Sequence, residues 1–299
     1  MKEIISCILF FIVIDFASGQ SNFTKFKNLE KTNDTAKINV FLTEWQKSEP
    51  NDPELYTSCM NYYYKKSKEE IVTINKTPHG KSSFKLTDST GAVAGYLNSN
   101  SDLNPRFLDS VFYYANIGII KFPKRLDIRF GKTYILGEME DYNNFSNEII
   151  KTIEYSKTIK NAWLWTENKK VEDPENFMLN TIQTYLKQLY EIEDDKLLEN
   201  MKSIGNVVLN YYPNNIEILS TTAVANMLTG NYEKAIEYLK RAEKINPEDF
   251  IILNNLAKGY ELKGNITEAI HYYELTEKFG DDEAKEHSKK EIIKLKSEQ

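Results

Sequence analysis

The sequence predicts an all-α solenoid of about five helix pairs, with a small β-hairpin insertion and a C-terminal capping helix. Three observations carry this. A frame is written twice, as "LTGNYEKAIEYLKRAEKINPED" from Leu228 and as "LKGNITEAIHYYELTEKFGDDE" from Leu262, 34 residues later. Prolines close similar apolar stretches further upstream. Gly 12 and Pro 8 are few while Tyr 19 and Phe 15 are many, which suits long packed helices with few breakers.

The first residues form a separate object. Lys2 precedes a mostly apolar run from Ile4 to Ile14, and "ASGQ" follows. This pattern reads as a secretory leader over 1–19, cut between Gly19 and Gln20, and the run is too short to span a bilayer. Glu3 and Asp15 depart from the usual pattern; the alternative is a buried N-terminal helix. Removing the leader removes Cys7 and leaves Cys59, so no internal disulfide is expected. Gln20 stands where a lipoprotein would carry its lipidated Cys, so no lipid anchor is expected. No later segment is long and apolar enough for a membrane helix. The expected product is exported, to a bacterial periplasm or the extracellular space.

The two clear repeats set the grammar for the rest. "IEILSTTAVANMLTGNYEKAIEYLKRAEKINP" (216–247) and "FIILNNLAKGYELKGNITEAIHYYELTEKFGD" (250–281) each read helix, tight turn, helix. Ala223 and Ala257 sit within the first helices, Gly230 and Gly264 end them, and Ala235 and Ala269 open the second helices. Leu239 and Tyr273 follow, and Pro247 closes the first unit. Small residues at fixed places let helices approach, and large apolar ones fill the grooves. Asp281 replaces the closing Pro in the second copy, and Thr276 stands where the first has Ala242.

In its period and in these positions the pair resembles the tetratricopeptide repeat (TPR) family. The resemblance implies a TPR-like α-solenoid that binds proteins along the face made by its first helices. Lys-, Asn- and Ile-rich usage with a short leader is similar to exported TPR proteins of AT-rich bacteria. A eukaryotic secreted protein is the alternative, since sequons such as Asn22-Phe-Thr occur.

Closing prolines extend the pattern. Pro213 lies 34 residues before Pro247, Pro123 closes "FLDSVFYYANIGIIKFP", and Pro50 closes "AKINVFLTEWQKSEP". The spacings exceed whole periods, and the surplus falls at about 69–102 and 158–173. The expected organisation is an N-terminal half-unit and first helix at 20–68, a β-hairpin insertion at 69–102, degenerate repeat helices at 103–212, two clear units at 213–281 and a polar cap at 282–299. Within 69–102, "EIVTIN", "SSFKLTD" and "AVAGYLN" are β-like runs separated by turn residues. The second surplus holds Trp163 and Trp165, either core residues closing a gap or an exposed aromatic patch of the kind found at interface hot spots.

Catalytic signals are weak. "HGKS" (79–82) lacks the upstream Gly of a phosphate loop, because Asn75 stands there, and its context is strand, turn, strand. "DSTG" (88–91) reads as a turn. Glu268 and His271 have metal-ligand spacing on one helix, but no second such pair accompanies them. Cys59 has no neighbour that would activate it. A net charge of −6 argues against non-specific nucleic-acid binding. No catalytic residue, metal or cofactor is expected.

The expected function is a non-catalytic scaffold or adaptor for a protein or peptide partner. The candidate groove residues are Ser220, Val224, Met227, Asn254, Asn255, Lys258 and Glu261. They offer a mixed apolar and polar surface rather than a cationic clamp for a C-terminal carboxylate. The alternative is an enzyme or enzyme subunit whose site lies where the β insertion meets the solenoid.

Overall fold

The computed structural model describes residues 20–78 and 82–297. The expected leader and its Gly19/Gln20 junction, and most of "HGKS", lie outside the described residues. The described residues form thirteen α-helices and three strands: α1 (Asn22–Glu30), α2 (Thr35–Ser48), α3 (Pro53–Ser67), β1 (Lys68–Asn75), β2 (Ser82–Thr87), β3 (Val93–Leu103), α4 (Pro105–Lys121), α5 (Leu126–Glu138), α6 (Tyr142–Thr158), α7 (Pro174–Glu191), α8 (Leu197–Tyr211), α9 (Ile216–Leu228), α10 (Tyr232–Ile245), α11 (Phe250–Leu262), α12 (Ile266–Phe279) and α13 (Asp282–Ser297).

Polar caps and breakers place the helix ends. Asp34, Asp52, Asn104, Asp141, Asn215, Asp249 and Asn265 each accept a backbone N–H of the first turn of the helix they precede. Pro53, Pro105 and Pro174 occupy first helical positions, where the missing N–H costs nothing. Gly230 and Gly264 end α9 and α11 at φ +77 and φ +82, a conformation open to Gly without penalty.

The helices pair along the chain, and successive pairs stack into an α-solenoid. Six pairs precede the cap α13, where a half-unit and about five pairs were expected. The stretch expected to hold a half-unit and one helix holds three helices, because residues 22–30 are helical. Phe26 of α1 is buried with Ile38, Leu42 and Trp45 of α2 and with Leu55 and Tyr62 of α3. Only nine residues long and largely polar, α1 shows little periodicity of its own and depends on this packing. A second cluster joins Met60, Leu108, Val111 and Ala115 to Ile135 across α3, α4 and α5. The main core runs from Leu126 in α5 to Leu295 in α13.

The insertion is a three-stranded antiparallel sheet of order β1-β3-β2. It stands between the two helices of the second pair. β1 leaves α3 directly and β3 enters α4 after Asn104, whose N–H donates to the Ser67 carbonyl at 2.7 Å. The second surplus, 159–173, is irregular. Leu164 N–H donates to the Lys124 carbonyl and Leu126 N–H to the Leu164 carbonyl, both at 2.9 Å, which lays the segment along the start of α5.

Candidate functional site

The first helices α7, α9, α11 and α13 lie side by side, and their shared face carries clefts. Gln183, Lys187 and Tyr190 of α7, Met201 of α8, and Ser220, Thr221 and Val224 of α9 line one of about 260 Å³. Gln183 Nε2 donates to Thr221 Oγ1 at 2.8 Å across its floor. Tyr190 also borders a second cleft of about 320 Å³, whose apolar lining is Leu189, Leu198 and Leu228 and whose rim is Glu191, Glu193, Asp194 and Asp195. Tyr190 and Leu228 are half exposed, so the two clefts share an accessible apolar surface. No Lys or Arg is among its lining residues, and Lys187 pairs with the rim carboxylate of Glu191 at 3.6 Å.

Further along, Asn254 lines a third cleft between α11 and α13, with Phe250, Ile251 and His287. Its Oδ1 is buried with no partner among the described residues. Asn255 Nδ2 donates to Ser220 Oγ at 3.3 Å, which ties α11 to α9. Lys258 pairs with Glu261 at 3.1 Å, and Glu261 also accepts from Tyr273 at 2.9 Å and meets Lys294 at 3.4 Å. Burial alone would raise the Glu261 carboxyl, but the hydrogen bonds from Lys258 and Tyr273 and the two lysine charges hold it below the usual carboxylate range.

Of the expected groove residues, Ser220, Val224 and Asn254 line clefts, Asn255 and Glu261 knit neighbouring helices together, and Lys258 pairs with Glu261 within α11. Met227 does not face the groove. It is 7% exposed and packs toward Gly259, where its sulfur would lie 3.5 Å from an added Cβ. Its helical position points it at α11, which the sequence frame alone does not reveal. The α7 contribution, Gln183, Lys187 and Tyr190, and the acidic α7–α8 turn were absent from the expected set. The signal was available: α7 stands two helices before α9, so its residues should share the same face.

The aromatic patch needs correction. Trp163 is 1% exposed and belongs to the main core, tilted against Tyr155 at 5.9 Å with the Arg129 guanidinium 5.8 Å from its ring. Trp165 is half-buried and meets Phe177 edge-on at 5.2 Å. The pair closes a gap between α5–α6 and α7 and offers no shared exposed surface.

A buried ionic cluster that sequence reasoning missed holds this segment. Arg125 is 1% exposed. Its Nη1 donates to Glu54 Oε1 at 2.6 Å, while Nε and Nη2 fork onto Asp127 at 2.8 and 2.7 Å. The Glu167 backbone N–H donates to the same Glu54 oxygen at 2.7 Å. Thr166 Oγ1 donates to Asp127 at 3.2 Å. Among the described residues eight non-glycine residues have positive φ, and Lys160, Asn161, Glu167, Asn168 and Asp173 of this segment are five of them. Such conformations persist only where surroundings over-determine them.

Where the sheet meets the helices, the contacts are packing contacts. Lys68 Nζ lies 4.5 Å over the Tyr64 ring and Lys66 Nζ 4.7 Å over that of Phe107. Burial, and then the Glu138 carboxylate, push the Tyr64 phenol well above its ordinary range, so it stays protonated. Cys59 is fully buried, and burial pushes its thiol up to about 12, far from a reactive thiolate. Among the described residues no group of three or more His, Cys, Asp or Glu is placed to hold a metal ion. No helix among them is long and apolar enough to cross a membrane.

Stacked helix pairs that present a continuous first-helix face with clefts define a helical-repeat scaffold, whose partners are proteins or peptides. Residues 216–249 match the family model of the tetratricopeptide repeat, so this part of the chain is a tetratricopeptide repeat. Solved structures similar to it include YrrB, a TPR protein with an unusual peptide-binding site, at 12% identity over 83% of this chain and 97% of that one, with a TM-score of 0.40. The C-terminal part of a TPR repeat-containing protein from Cytophaga hutchinsonii is 12% identical over 86% of this chain and 78% of that one, with a TM-score of 0.42. PilW, a type IV pilus biogenesis factor, is 12% identical over 84% and 89%, with a TM-score of 0.34. No curated protein matches the chain.

Proposed function

We propose that this protein is a non-catalytic adaptor, exported to the cell envelope or beyond, which holds an extended segment of a partner protein along its first-helix face. The single observation that carries the reading is the pair of clefts joined at Tyr190. Their floor is apolar, from Leu189, Leu198, Leu228 and Val224, and one rim is made of carboxylates. A large apolar side chain flanked by Lys or Arg complements both features. The apolar contact supplies affinity, and the charges supply register and association rate.

Selection of random peptides displayed on phage tests this. The expected outcome is enrichment of peptides with an apolar residue next to Lys or Arg. Tyr190→Ala and Leu228→Ser should each weaken a selected peptide by about tenfold or more, as hot-spot truncations do. Enrichment of acidic peptides, or affinity indifferent to both substitutions, would overturn the reading. The export reading rests on the pattern at 1–19, and N-terminal sequencing of protein secreted by an expressing host should start at Gln20. Protein that stays in the cytoplasm beginning at Met1 would sink it.

A further inference from the structure

The two edges of the three-stranded sheet differ. Its order is β1-β3-β2, so β1 and β2 are both edge strands. β2 is six residues long, and its register with β3 shifts between Leu86 and Thr87. Irregularities of that kind spoil an edge as a template for further pairing. β1 is eight residues long and pairs with β3 without a break, from Lys68 opposite Leu103 to Asn75 opposite Tyr96. It has no proline, and its run from Ile71 to Ile74 is wholly β-branched. Among the described residues no strand lies along its outer side. Ile74 on this strand is 68% exposed. A long, regular edge of this sort is a template for another extended chain.

The order of residues along β1 points to a second copy of the same strand. Symmetric antiparallel pairing needs a twofold axis normal to the joined sheet, which keeps every residue on its own face. The axis therefore passes through one residue, and the choice of that residue fixes every pair. Centred on Glu70, the two glutamates stand opposite each other, and centred on Val72, Lys68 meets Lys76. Like charges directly opposite are unfavourable. Centred on Ile71, the charged residues face uncharged ones. Centred on Thr73, Glu70 of each copy stands opposite Lys76 of the other, one residue past the end of β1. Val72 then stands opposite Ile74, and Thr73 opposite itself. Opposite charges, β-branched pairs and Thr–Thr pairs are all favourable across strands, and the axis makes each off-axis pair twice. From Lys68 to Lys76 the chain holds two Lys and two Glu, so this edge is neutral in a protein of net −6. Repulsion between copies is least along such an edge. The pairing also sends the two helical bodies to opposite ends of the joined sheet, with the points where β1 leaves α3 about 30 Å apart.

We propose that β1 is a self-association edge, on which two copies of this chain pair antiparallel about Thr73 to make one six-stranded sheet. A dimer of this kind presents two first-helix faces at once. The inference does not depend on the peptide reading.

The test is sedimentation equilibrium of the full chain over a wide concentration range. The joined edge is small beside a standard interface of about 1,600 Å², so a reversible dimer that grows with concentration is expected. Residues 1–19 are common to every variant, so the differences between variants decide. Glu70→Lys or Lys76→Glu alone sets like charges opposite each other twice, and each should weaken the dimer about tenfold or more. The two combined restore opposite charges, and the dimer should return to within about threefold of wild type. Circular dichroism should show the same fold throughout. In a Cys7→Ser background, Thr73→Cys should give a disulfide-linked dimer under mild oxidation, since opposite Cα atoms lie about 4.5–5.5 Å apart. Ile71→Cys, opposite Asn75, should not. A charge variant that loses its fold leaves the cysteine pair to decide. A chain that stays monomeric at every concentration would overturn the proposal, even if another protein's extended segment pairs with β1. So would a dimer indifferent to both single reversals, or one that the folded double variant fails to restore.

Discussion

Arg125 and Glu54 lie 71 residues apart in sequence and meet at 2.6 Å, with the arginine 1% and the glutamate 6% exposed. The pair joins the start of α3 to the start of α5, and through Glu167 it clasps the strained 159–173 segment onto both. Breaking a buried pair by removing one partner leaves an uncompensated charge, which costs about 3–5 kcal/mol. Arg125→Met should therefore lower the urea midpoint sharply and make residues 159–173 sensitive to protease before the rest of the chain. Arg125→Lys should recover only part of the loss, since one ammonium cannot fork onto Asp127 and reach Glu54 together. An unchanged midpoint in Arg125→Met would show that the cluster does not hold the segment.

The crossing of α8 and α9 depends on a missing side chain. A Cβ placed on Gly205 would lie 2.0 Å from Thr222 Oγ1 and 3.1 Å from Thr222 Cβ. Gly205→Ala should therefore destabilise by about 1–3 kcal/mol through overpacking. Thr222→Ala removes the closest clashing atom, and that hydroxyl is buried with no partner among the described residues. The double variant should be less destabilised than the sum of the singles by about 1 kcal/mol or more. Strict additivity in denaturant titrations would contradict the contact.

Glu148 gives the acid limb of stability a definite sign. Burial alone would raise its carboxyl, but hydrogen bonds from Lys151 at 2.8 Å and Lys132 at 3.0 Å hold it below the usual range. Its folded pKa is therefore lower than its unfolded one, roughly 4.3 for a free glutamate. The stability it contributes is complete above that unfolded value and is lost as pH falls through the folded one. Glu148→Gln should flatten the loss of stability on acidification below about pH 4.5 while lowering stability near neutrality. A variant whose acid limb matches wild type would refute the assignment.

What the sequence displayed, and what it hid, follows from the range of the forces involved. Helix ends were legible because Pro50, Pro123, Pro213 and Pro247 and the glycines Gly230 and Gly264 act locally. The β insertion was legible because alternation and turn residues are local too. The helix at 22–30 was hidden because tertiary packing of Phe26 carries it rather than its own periodicity. Met227 was assigned to the wrong side because the frame gives a face only within a few tens of degrees, and α11 takes the edge of it. The Arg125 cluster joins Glu54, Asp127 and Glu167 through folding alone, and no spacing announces it.

The two tryptophans of the irregular segment should part company under substitution. Trp163 fills core space between α5, α6 and α7, so Trp163→Ala should cost about 3–5 kcal/mol as a large cavity opens. Trp163→Phe should cost far less. Its indole Nε1 is buried with no partner among the described residues, so losing that N–H removes a desolvated donor along with some contact area. Trp165 is half-buried and leans on Phe177 at the margin, so Trp165→Ala should cost clearly less than Trp163→Ala. Quenching separates them without denaturant. Trp45 is 1% exposed, and its indole donates to Asp52 at 3.1 Å, so Trp45 and Trp163 should both resist acrylamide. Trp165→Phe should remove most of the quenchable emission, and Trp163→Phe should leave it in place. If Trp163→Phe abolished the quenchable fraction instead, Trp163 would be the exposed residue and the core reading of this segment would fail.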